Sequence, residues 1–231
     1  HNLYDKLNGV NDYTKGYLDA IMKAQRSIYG YFFLEDMLKG DVLDEMLRVC
    51  PVKPNKDGVE TVQYVYANYF LARRMATDER TDIMSRIGRE LGVKNKINLY
   101  TPDSAVKFIN VNNRGTVDYY NEMPYVFRNS RINLNITLRS IKSGIPLRCM
   151  DVCGAGGFLL SNYQEDLYDV FVPGEDMVIY DSIDDLMNKC KYYLSHDAER
   201  RQIAQNGFGK IEERHTYDIR FEEIFDVVFN G

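Results

Sequence analysis

The sequence contains no tryptophan, three histidines and four cysteines in 231 residues, and each scarcity narrows the chemistry. Four thiols, Cys50, Cys149, Cys153 and Cys190, are too few and too scattered for a disulfide scaffold, so reduced thiols in a cytoplasm are expected. Cys149 and Cys153 lie one helical turn apart, but a structural zinc needs four ligands and the other two cysteines are distant. His1, His196 and His215 share no ligand spacing and read as capping or packing residues. No metal or redox cofactor is expected. No lysine or arginine block exceeds a pair, and 29 basic residues stand against 34 acidic ones for a net charge of −5, which argues against a nucleic-acid partner. No apolar run approaches the roughly 18 residues of a transmembrane segment, and no charged-then-apolar leader opens the sequence. The expectation is a soluble protein whose partner is a small molecule or another protein.

What is present has two textures. From Asp12 to Leu91 the pattern is helical, with Tyr17, Ile21, Ala24 and Ile28 spaced to face a core. The stretch CPVKPNKDGVE breaks it, and a second long helix is expected from Val59 to about Leu91, with a restart at Thr77 or Thr81. Beyond Gly92, short apolar runs bounded by Gly, Pro, Asn or Asp read as strands: KINLYT (96–101), GTVDYY (115–120), RINLNI (131–136), GFLLS (157–161) and MVIY (177–180). Helical segments fall between them, around 104–109, 122–128 and 143–153. The tail from Ile183 to Phe229 is helical again, with starts expected at Ser182 and Ser195 and a stop at Gly207. Strands alternating with helices predict an α/β domain with a Rossmann-like parallel sheet flanked by helices. A mainly helical portion over 1–91 would precede an α/β portion over 92–231 within a single domain.

The densest stretch is GIPLRCMDVCGAGGFLLSN, residues 144–162. A dinucleotide fingerprint runs strand, glycine loop, helix, so that the pyrophosphate meets the start of the helix. Here Gly154, Gly156 and Gly157 follow a helix and precede a strand, so they are expected to end that helix. The opposite end carries more chemistry. A strand ending near Ile136 leads through a polar loop to a helix opening at Gly144–Pro146, where free backbone N–H groups can receive an anion at the carboxyl edge of a sheet. Arg148 falls in the first turn, and Asp151 lies one turn further on the same face. A guanidinium for a diphosphate and a carboxylate for ribose hydroxyls would suit a nucleotide. On spacing alone an ordinary surface Arg–Asp pair, worth tenths of a kcal/mol, is the better reading.

Three segments, GTVDYYNEMPYVFRNSRINLNITLRSIKSGIPLRCMDVCGAGGFLLSNYQEDLYDVF, GEDMVIYDSIDDLMNKCKYYLSHDAERRQIAQNG and HTYDIRFEEIF, occur in that order. Together they resemble the carboxy-terminal, donor-binding domain of family-1-like GT-B glycosyltransferases, and within these the spore-maturation CgeB/YkvP group. The resemblance spans about Lys96 to Phe225, and more loosely Tyr4 to Leu91. It implies the carboxy-terminal half of a GT-B fold holding a nucleotide sugar, with no obligate metal, and a transferase whose other Rossmann-like half lies elsewhere in a longer protein. It also implies site residues. The second acid of the family's Glu-x7-Glu motif, which contacts the donor ribose, falls on Asp151. Ser143 stands where the wider family has the first, a departure from the motif. An arginine three residues before the acid, typical of the CgeB group, falls on Arg148. Gly144 and Ile145 align with the loop beside the phosphates, Tyr120 with the region flanking the base, and Asn162 and Tyr163 with a loop reaching toward the donor. No catalytic residue is implied. A non-catalytic, degenerate transferase-like module in spore or cell-surface assembly is the alternative.

Overall fold

The computed structural model describes residues 3–55 and 58–230; His1, and Lys56 and Asp57 of the expected interhelical loop, lie outside the described residues. The chain divides into two compact units, one of residues 1–86 with 138–142, the other of 87–137 with 143–231. The change of texture read at residues 91–92 thus meets a division five residues earlier, and the short segment 138–142 groups with the helical unit.

In the helical unit, α1 (Asp12–Arg26) is capped by Asn11, whose side chain accepts from the Thr14 N–H at 2.8 Å. Its buried stripe is Thr14, Leu18, Ile21, Met22 and Gln25. Of the expected core stripe, Ile21 is buried and Tyr17 packs against the core, whereas Ala24 and Ile28 are exposed. The Gln25 amide turns inward to donate to the carbonyls of Ile28 and Tyr31 and to accept from the Phe33 N–H, so it fixes the turn that ends α1. Helices α2 (Leu34–Met37) and α3 (Gly40–Val49) follow, and then α4 (Val62–Val65). A π-helical stretch, Tyr66–Leu71, joins α4 to α5 (Ala72–Leu91). No restart occurs near Thr77 or Thr81: their hydroxyls donate back to the carbonyls of Arg73 (3.0 Å) and Thr77 (2.8 Å), a bond that leaves the helix intact. The core gathers Leu18, Leu34, Leu38, Met46, Tyr66 and Leu71. Arg139, on the returning segment, forms a buried ion pair with Glu79 at 2.6 Å and stacks on the Tyr29 ring.

The second unit is α/β, with parallel sheets flanked by helices, as the sequence pattern requires. Strands β1 (Ile97–Leu99) and β2 (Val111–Asn113) form one parallel pair. Strands β3 (Asn133–Asn135), β4 (Leu159–Asn162) and β5 (Val178–Tyr180) form a parallel sheet in that order, with Asn133 opposite Leu159 and Leu160 opposite Val178. Four of the five expected strands are therefore present. The run 115–120 is instead a loop, and the strand lies just before it at 111–113. Asp118 is the reason: its carboxylate accepts from the N–H groups of Tyr120 and Asn121, which bends the backbone into a turn. Residues 104–109 likewise form turns rather than a helix.

Helix α6 (Met123–Asn129) precedes β3, and α7 (Leu147–Gly154) precedes β4. The glycines close α7 as expected. Gly156, at φ +74°, donates to the Cys153 carbonyl and Gly157 to that of Val152, after which the chain enters β4. After β4 come α8 (Leu167–Val170), β5, α9 (Ile183–Ser195), α10 (Asp197–Arg214) and α11 (Tyr217–Asn230). Ser182 caps α9 by accepting from the Asp185 N–H, as read from the sequence. Two expectations fail here. Ser195 ends α9 rather than opening α10, with its hydroxyl donating to the carbonyls of Lys191 and Tyr192. Gly207 does not stop α10; it is buried in mid-helix, where the Asp176 carbonyl comes close to it. The core of this unit comprises Cys149, Val152, Cys153, Leu159, Leu167, Phe171, Met177 and Ile179.

Candidate functional site

The carboxyl ends of β3 and β4 lead into polar segments, and α7 starts beside them. Pro146 stands just before the first residue of α7, so the loop Ser143–Pro146 delivers the chain to the helix. The first backbone N–H groups of a helix have no intrahelical partner, and they carry the positive end of its dipole. Arg148 is the second residue of α7 and Asp151 the fifth. The guanidinium Nη1 lies 3.9 Å from the Asp151 carboxylate, rests against the Met123 sulfur and stacks over the Phe127 ring at 5.0 Å. α6 thus provides an apolar shelf for a cation that remains 39% exposed, and it leaves the charge available to an anion.

Asp151 has a second partner that the sequence reading overlooked. The Tyr119 hydroxyl donates to its Oδ1 at 2.7 Å, and this bond to a carboxylate pushes the phenol above its ordinary pKa. Tyr120, the expected residue, is 82% exposed and meets the Tyr119 ring edge-on, with centroids 5.1 Å apart. A strand over 115–120 would point the two tyrosines to opposite faces; in the Asp118 turn it is Tyr119 that reaches α7.

Gly144, at φ +88°, is held from both sides by the segment after β4. Its N–H donates to the Asp166 carboxylate, and its carbonyl accepts from the Gln164 amide at 2.8 Å. Ile145 packs against the core of the unit, and Ser143 is exposed. Asn162 is buried, and its amide is committed: Oδ1 accepts from the Thr137 N–H at 2.8 Å and Nδ2 donates to the Thr137 carbonyl at 3.0 Å. This two-bond clamp ties the end of β4 to the chain leaving β3. Tyr163 donates its N–H to the Tyr180 carbonyl and packs its ring against the core and Tyr168.

Beneath the clamp, the Asn135 amide donates to Thr137 Oγ1 and Ser161 Oγ, both at 2.9 Å. Cys149 is buried against it and its thiol is pushed up to about 12 by burial; Cys153 is raised by the same cause. Both thiols are buried packing groups whose raised pKa disfavours the reactive thiolate. Arg148, Asp151 and the loop 143–145 therefore gather at the start of α7, whereas Asn162 and Tyr163 serve the scaffold. Gln164 and Asp166 were missed, although their place in SNYQED directly after a strand offered a positional signal. Among the described residues no cluster of three or more His, Cys, Asp or Glu side chains could hold a metal ion, and no helix is long and apolar enough to cross a membrane.

Residues 80–226 match the family model described as glycosyl transferase-like, which covers more than half of the chain. A comparison with curated proteins gives no match.

Proposed function

The chain belongs to the glycosyl transferase-like family, and on that premise we propose that its second unit binds a nucleotide-diphosphate sugar as the donor half of a GT-B glycosyltransferase. The observation that carries this reading is the start of α7, where a half-exposed Arg148 sits in the first turn and Asp151 lies three residues on. The backbone N–H groups and Arg148 would hold the diphosphate, and they would stabilise it as the leaving group when the sugar transfers. Asp151, turned by Tyr119, would accept hydrogen bonds from the ribose hydroxyls. Tyr120, exposed beside it, is available to stack on the base. The acceptor and the catalytic base would come from a second Rossmann-like half. A second reading, a binding module without turnover, is favoured by Ser143 in place of the family's first glutamate.

The test is calorimetric titration with UDP-, GDP-, ADP- and TDP-sugars, repeated on Arg148→Ala and Asp151→Ala. One nucleotide class should bind saturably, and each substitution should weaken it about tenfold or more, as expected when a charge-assisted hydrogen bond is lost. Unchanged affinity in both variants would remove the site from the start of α7.

A further inference from the structure

Gly144 is held by an anion that belongs to the protein itself. Its N–H donates to a carboxylate oxygen of Asp166, 22 residues away, while Gln164 takes the carbonyl of the same residue. Asp166 occupies the position preceding α8, where an aspartate ordinarily accepts from its own helix. It makes no such bond: its backbone is helical, at φ −65° and ψ −12°, and its side chain reaches back to Gly144 instead. The loop that would receive donor phosphate thus already presents its amide to a negative charge. Both groups cannot use that N–H, and a carboxylate beside a diphosphate repels it.

We propose that Asp166 is a built-in competitor at this site: its carboxylate occupies the Gly144 amide in the empty protein and must leave before a diphosphate can bind. The proposal rests on the reading of the α7 start as the donor site. Gln164 keeps the loop in place by its separate bond to the Gly144 carbonyl, so departure of Asp166 opens one donor without unravelling the turn. Gln164 is 6% exposed, so its amide is held against Gly144 by burial as well as by that bond. Asp166 is only partly buried, so its displaced carboxylate can be hydrated. Weak anions would then be excluded, and only a ligand that also engages Arg148 would bind well.

The experiment titrates inorganic pyrophosphate and UDP by calorimetry into the full chain, Asp166→Asn, Asp166→Ala and Arg148→Ala, with thermal unfolding of each as a check on folding. Asp166→Ala should bind pyrophosphate about fivefold tighter or more, the scale of one like-charge contact near a surface, and Asp166→Asn should gain by a smaller factor because its amide oxygen still accepts from Gly144. The asparagine variant keeps an acceptor for Gly144 and guards against loop collapse. Equal or weaker binding by the Asp166 variants overturns the proposal, as does no pyrophosphate binding by any protein. If Arg148→Ala weakens UDP while the Asp166 variants gain nothing, the donor site stands and the competitor falls. If the Asp166 variants gain affinity that Arg148→Ala leaves untouched, the anion position at Gly144 stands and the assignment of Arg148 falls.

Discussion

Asn162 illustrates how one side chain can carry the spacing between two strands. Its amide satisfies both the N–H and the carbonyl of Thr137, and both residues are buried. Asn162→Ala leaves two buried backbone groups without partners, each costing about 1–3 kcal/mol. Urea unfolding should therefore show a loss of about 2 kcal/mol or more; a loss below about 0.5 kcal/mol would mean that water replaces the clamp. The family resemblance implied Asn162 as a ligand contact, and it could not reveal that Thr137 takes both ends of the amide. Helical spacing puts Arg148 and Asp151 on one face, and only the family resemblance set them apart from an ordinary surface pair. Tyr119 was not legible, because the choice between two adjacent tyrosines depends on the turn made by Asp118.

Elements were easier to read than their ends. The helix-to-strand order around Gly154–Gly157 was fixed by local rules, because glycine past a helix end acts through its own backbone. Helix α10 broke the same rule for a tertiary reason. Gly207 lies in mid-helix, where a Cβ would come within 2.5 Å of the Asp176 carbonyl oxygen, so the glycine serves close packing rather than termination. Gly209, two residues on in the same helix, would place a Cβ in open space. Gly207→Ala should then destabilise by about 1–3 kcal/mol through overpacking. Gly209→Ala should instead stabilise by about 0.5–1 kcal/mol through helix propensity. Thermal unfolding of the two variants side by side checks this, and equal shifts would refute the packing argument. The strand expected at 115–120 failed in the same way: apolar and aromatic residues signalled a strand, and one aspartate capturing two N–H groups overrode them.

At the scale of the whole molecule, the family assignment rests on residues 80–226, which run from within α5 into α11. The α/β class was legible from alternating strands and helices, while the grouping of 138–142 with the helical unit was not. That segment is carried by the buried Arg139–Glu79 pair, and the two residues lie 60 positions apart in the sequence. The central claim is that a donor diphosphate binds at the start of α7. It is tested most directly by following backbone amide resonances while UDP is added. Gly144, Leu147 and Arg148 should shift first and saturate together. A different surface of the same unit offers the contrary result: a cleft of about 400 Å³ lined by Lys210, His215, Ile219 and Arg220. Shifts concentrated on those residues, with Gly144 and Arg148 unmoved, would contradict the claim.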